Sequence, residues 1–214
     1  SENKNSRINL IKKFKNRFRL VEAMDSKEFY DFSHKIDNCT VSTSYTILHG
    51  ICLTFFNRTE LRNWFNDTGV KAKRDDTDKK TILPVRQSIS LLAQRKSLKL
   101  FSQTLYLIKD LPDIICYRKE LFNDLCKALI TAHFNNSSVY DAMKEIRNIK
   151  RRVGRKITGK CIGTTLLTKG LEFDTVVLLN AHKFSDAKNL YVALTRATKN
   201  LVVFTENEIL NPYN

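Results

Sequence analysis

The chain has 214 residues, 42% hydrophobic and 28% charged, a length and balance that suit one large globular domain or two small ones. Lysine and arginine number 37 against 22 acids, a net charge of +15 that favours a polyanionic partner such as nucleic acid, nucleotide or an anionic membrane. No run of about 18 apolar residues is present to span a bilayer, and the basic start lacks the apolar centre of a signal peptide. Five scattered cysteines (Cys39, Cys52, Cys116, Cys126, Cys161) without a C-x-x-C pair, and four unclustered histidines, point to free thiols in a reducing cytoplasm and to no metal held by this chain. The first residue is serine rather than methionine, which suggests a fragment or a processed chain.

In chain order, Ile8, Ile11, Phe14, Phe18 and Val21 recur at helical spacing over 7–21, and seven basic residues with no acid lie between Lys4 and Arg19. The run ICLTFF at 51–56 has the texture of a short apolar strand. Asn57 follows it, and ELRNWF then returns to helical character, so the whole predicts a strand–loop–helix unit. The stretch 71–80 is almost entirely charged and predicts an exposed connection. From 85 to 150 the period is helical. Leu91, Leu98, Phe101, Leu105 and Ile108 share one face, Pro112 interrupts, Phe122, Leu125 and Leu129 line a second helix, and Val139, Met143 and Ile146 a third.

After 150 the texture changes. Six basic residues and no acid fall within 150–160, four of the six glycines lie between 154 and 170, and three β-rich runs follow: CIGTTLL, TVVLLN and LVVFT. Gly154 to Cys161 nearly spells the phosphate loop G-x-x-x-x-G-K-[ST]. Two objections count against it. A cysteine thiol is a poor ligand for Mg²⁺, a hard cation. A phosphate loop also follows a strand and opens a helix, whereas here a basic helical stretch precedes and a β-rich run follows. This chain therefore carries no evident cradle for a triphosphate.

Residues 163–179, GTTLLTKGLEFDTVVLL, and 189–204, NLYVALTRATKNLVVF, resemble the fifth and sixth motifs of UvrD/Rep-type superfamily 1 DNA helicases in order and spacing. The resemblance implies an α/β fold, a RecA-like parallel sheet with flanking helices, interrupted by a mostly helical insertion. It divides the chain into a basic helical lead-in (1–40), the first part of a second RecA-like domain (41–80), a helical insertion standing as a reduced accessory domain (81–156), and the motif-bearing remainder (157–214). It also assigns roles. Gly170 lets the backbone approach a ligand closely, Glu172 accepts hydrogen bonds from ribose hydroxyls, and Arg196, on a helix expected over 187–198, reaches the terminal phosphate of ATP as a finger. Thr164 and Thr165 offer hydroxyls to a phosphate or base, and Asn57 and Arg58 form a polar turn at which single-stranded DNA could be touched; helix capping is the competing reading of Asn57.

The implied cofactor is ATP with Mg²⁺, the metal's ligands and the phosphate loop lying in an N-terminal RecA-like domain. The implied partners are that domain and single-stranded or partly duplex DNA, with no membrane. The two basic segments would add salt-dependent phosphate contacts. Where many members of the family carry histidine in a T-x-H-x-x-K-G pattern, this chain has Leu166. The reading that follows is the C-terminal motor domain of an ATP-dependent helicase or translocase, inactive by itself. The alternative is a non-catalytic nucleic-acid-binding or regulatory domain on the same fold.

Overall fold

A computed structural model of the chain describes residues 2–14, 17–22, 27–154 and 157–211. It is a mixed α/β structure with many helices and short parallel sheets. Helix α1 (Glu2–Lys13) leads into the two-residue strand β1 (Arg19–Leu20). Six helices follow, α2 (Lys27–Asp37), α3 (Ser44–Phe55), α4 (Arg58–Trp64), α5 (Asp76–Leu92), α6 (Leu98–Lys109) and α7 (Lys119–Asn135), with a small antiparallel hairpin of β2 (Phe65–Asn66) and β3 (Gly69–Val70) after α4. Helix α8 (Val139–Val153) completes the helical body. The remainder is β4 (Cys161–Ile162), β5 (Phe173–Leu178), α9 (Ala187–Leu194) and β6 (Ala197–Val203).

Side chains at the helix ends explain where several helices start. Asp75 accepts from the amides of Thr77 and Asp78 ahead of α5, Ser97 from Leu100 ahead of α6, and Ser138 from Asp141 ahead of α8. Asp37, at the end of α2, also takes the amides of Val139 and Tyr140, at 2.8 and 3.0 Å, and so docks α2 on the start of α8. At the other end of α7, Asn136 sits in the left-handed conformation at φ 49°, a backbone geometry that ends helices. Lys150, Arg151 and Arg152 fall in the last turn of α8, where cations complement the helix dipole.

One hydrophobic cluster, running from Phe32 to Ile146, forms the core of this body and crosses the boundary expected at residue 80. Phe55 and Tyr106 both meet the Phe122 ring edge-on, with centroids 5.5 and 5.3 Å away. Cys52, Cys116 and Cys126 are buried in the same cluster, and all five cysteines are free. Burial pushes the Cys116 and Cys126 thiols up to about 12 and raises Cys52 as well, so these three are neutral packing groups.

Several sequence expectations are corrected. Residues 51–55 belong to helix α3 and not to a strand: Leu48, Ile51, Cys52 and Phe55 recur at helical spacing and are all buried, a pattern hidden when 51–56 is read as an isolated apolar run. The first helix stops at Lys13, and Phe18 and Val21 flank a strand instead of continuing it. The charged stretch at 71–80 is a connection only to Asp75; α5 begins at Asp76 because Asp75 caps it. Leu91 is exposed near the end of α5, separated from the α6 face by the turn before Ser97. Residues 15–16 of the first basic segment and 155–156 of the near-miss loop and second basic segment lie outside the described residues.

The parallel strands form two separate pairs. β1 runs parallel to β4, with Arg19 opposite Cys161 and Leu20 opposite Ile162. β5 runs parallel to β6, Val176 to Leu178 facing Leu201 to Val203, and α9 is the crossover between them. A second, small cluster of Leu178, Ala181, Leu190 and Ala193 seats α9 on one face of this pair.

Candidate nucleotide-site edge

The site is built on the turn from β4 to β5. The backbone is drawn into a 3-10 turn at Leu166–Thr168, stabilised by the Thr168 hydroxyl donating to the Thr164 carbonyl at 3.1 Å and the Leu171 amide donating to the Thr168 carbonyl at 3.0 Å. The Leu167 amide donates to the Thr164 hydroxyl at 3.4 Å, so that hydroxyl is engaged inside the turn. The half-buried Thr165 has no hydrogen bond to its hydroxyl among the described residues. Leu166, in the place of the family's histidine, is 75% exposed.

Two glycines shape the turn for different reasons. Gly170 lies at φ 79°, a conformation that side chains with a Cβ rarely adopt, and the space beside it is open. At Gly163 the constraint is crowding: an added Cβ would sit 2.9 Å from Thr168 Cγ2 and 3.3 Å from the Val21 side chain. Gly163 thus lets the turn close against the residue that follows β1. Nothing local in the sequence distinguishes Gly163 from a flexible linker glycine.

Arg196 lies in the turn between α9 and β6, not on the expected helix, because α9 ends at Leu194. Its guanidinium is fixed on three sides. Nε donates to the Val192 carbonyl at 2.9 Å, Nη1 to the Leu171 carbonyl at 3.0 Å, and Nη2 to the Thr195 hydroxyl at 3.0 Å. The Phe173 amide donates in return to the Arg196 carbonyl at 2.9 Å. Glu172, exposed, is the residue between these two anchor points. Residues 171–173 and Arg196 are thus bonded together at one end of the β5–β6 pair, which sets Glu172 and Arg196 at the same end, and among the described residues no ion pair joins the two side chains. Two of the guanidinium's five N–H donors remain for an anion. Lys169, exposed beside Gly170 and without a carboxylate partner among the described residues, adds a second cation to this edge.

Asn57 and Arg58 sit elsewhere, at the junction of α3 and α4. The Asn57 amide group donates to the Asp113 carbonyl at 2.9 Å and its oxygen accepts from the Ile115 amide at 2.7 Å, while Arg58 Nε donates to the Leu53 carbonyl at 3.3 Å. Asn57 caps no helix with its side chain. It clamps the loop between α6 and α7 to the helical body.

Residues 120–205 match the family model of the viral superfamily 1 RNA helicase core domain. This segment is superfamily 1 helicase-like. The match takes in α7, α8 and the whole β4–β6 region, including Thr164, Thr165, Gly170, Glu172 and Arg196. No curated protein and no solved structure matches the chain. Among the described residues no helix is long and apolar enough to cross a membrane.

Proposed function

We propose that the helicase-like segment is the C-terminal motor domain of an ATP-dependent, UvrD-like helicase or translocase, which completes a nucleotide site begun by a first RecA-like lobe. The observation that carries this reading is the anchored guanidinium of Arg196 beside Glu172. In this reading the exposed Glu172 accepts from sugar hydroxyls. Arg196, held by Val192, Leu171 and Thr195, presents its remaining donors to a terminal phosphate without having to be ordered first, which is how a preorganised donor stabilises charge that develops during hydrolysis. ATP supplies the phosphoanhydride whose hydrolysis opens and closes the lobe interface. Single-stranded nucleic acid is the track, with the Thr165 hydroxyl available to a phosphate oxygen.

The phosphate loop and the acidic Mg²⁺ ligands belong in this reading to the other lobe. The purified 214-residue chain is therefore expected to show no ATP hydrolysis above background in a coupled phosphate-release assay, with or without single-stranded oligonucleotide. Turnover by the chain alone would refute the division of labour between lobes.

A further inference from the structure

We propose that the exposed cations Lys12, Arg17, Arg19, Lys119 and Lys160, drawn from distant parts of the chain, form one binding track for the phosphate backbone of single-stranded nucleic acid on the β1–β4 side of the molecule. It rests on the helicase-like reading only for the class of partner. The strand pairing brings two of these parts together. The Arg19 amide donates to the Lys160 carbonyl at 2.9 Å, and Arg19 and Cys161 stand in register. Next to this pair, the end of α1 reaches the segment just before α7, with Lys12 Nζ 5.4 Å from the centre of the Tyr117 ring.

Burial fixes this junction. Glu22, just after β1, accepts from Arg118 Nε at 2.7 Å and from the Leu121 amide at 3.0 Å, all buried. Lys150 at the end of α8 reaches Glu120 and Asp124 of α7 at 3.1 and 2.6 Å. The acids of this region are thus turned inward or already paired. The exposed cations Lys12, Arg17, Arg19, Lys119 and Lys160 have no carboxylate partner among the described residues.

Unpaired cations on a rigid backbone suit a polyanion, because each phosphate contact releases condensed counterions. The aromatic Phe14 stands among them, 43% exposed and 4.8 Å from the Phe18 ring, and offers a base a face to stack on. An anionic membrane would need an apolar stripe to insert, and α1 turns Ile11 into the protein interior.

The test is fluorescence anisotropy of labelled oligothymidylate and oligouridylate, each about 20 nucleotides long, titrated at several salt concentrations. The variant R17Q/R19Q/K160Q is compared with K80Q/K99Q/K127Q, which removes the same charge from exposed lysines elsewhere. The track predicts a salt-dependence slope shallower by about 2 for the first variant, and affinity at low salt weaker by about 10- to 100-fold, while the second variant stays near the parent. The double variant K12Q/K119Q, which leaves the β1–β4 pair intact, is expected to lower the slope by about 1. Equal losses on DNA and RNA identify the backbone as what is read, and a loss on one alone identifies that nucleic acid as the ligand of the track.

Equal effects of the two triple variants would overturn the inference, leaving only diffuse charge. So would a loss confined to phosphatidylserine vesicles, which would make the surface a membrane contact. Failure of the parent chain to bind either oligonucleotide would also overturn it, yet would leave the nucleotide-site reading of Glu172 and Arg196 standing, since that is tested by hydrolysis.

Discussion

Arg196 and Asn57 illustrate how a polar residue in a motif can be held in two opposite ways. Arg196 gives three donors to its surroundings and keeps two, so its bonds orient it without exhausting it. Asn57 uses both ends of its side chain on the Asp113 carbonyl and the Ile115 amide, and that amide is otherwise left without a partner near the core. Asn57→Ala should therefore cost about 1–3 kcal/mol of stability in denaturant unfolding. Oligonucleotide affinity in the same preparation is expected to stay at the parent value. A variant of full stability with weakened oligonucleotide binding would restore the DNA-contact role expected from the sequence.

Among the elements, the β5–α9–β6 unit is the least self-sufficient. Parallel strands are ordinarily covered on both faces, and here α9 covers one. On the other face Val177 is 53% and Phe204 57% exposed. Its cluster of four buried residues contrasts with the extended core of the helical body. Amide hydrogen exchange followed by mass spectrometry should find β5 and β6 exchanging well before α6 and α7, because local opening there uncovers little buried apolar surface. Equal protection of the two regions would mean that the bare face is covered in solution.

The same contrast decides how much was legible in the sequence. Long periodic stretches announced α6, α7 and α8, since Leu105, Leu125 and Met143 repeat at helical spacing over several turns. The motif pair announced β5, α9 and β6, while the end of α9 at Leu194, which leaves Arg196 in the turn before β6, was not legible from the motif. The short run 51–56 misled because six apolar residues fit a strand or one side of a helix equally well, and only the upstream residues 44–50 complete the helical period. Pairing between distant segments was invisible: nothing local links Arg19 to Lys160, or Glu22 to Arg118.

At the scale of the whole molecule, the net charge of +15 and the two clusters describe a chain with separate tasks. The helical body supplies the large core. The β1–β4 junction gathers cations without a carboxylate partner among the described residues, and the β5–β6 end carries the anchored guanidinium of Arg196. Coupling between the last two would run through the turn at 163–172, which begins at β4 and ends at β5 and is packed through Gly163 against Val21.

The most direct measurement is the rate of ATP hydrolysis by a protein that carries this domain together with a phosphate-loop lobe, with Arg196 replaced by alanine. An arginine finger is worth about 10³- to 10⁵-fold in rate, so hydrolysis should fall by at least about 10³-fold while nucleotide binding, followed by a fluorescent ATP analogue, persists. Hydrolysis left at the parent rate would contradict the assignment of Arg196 to the terminal phosphate.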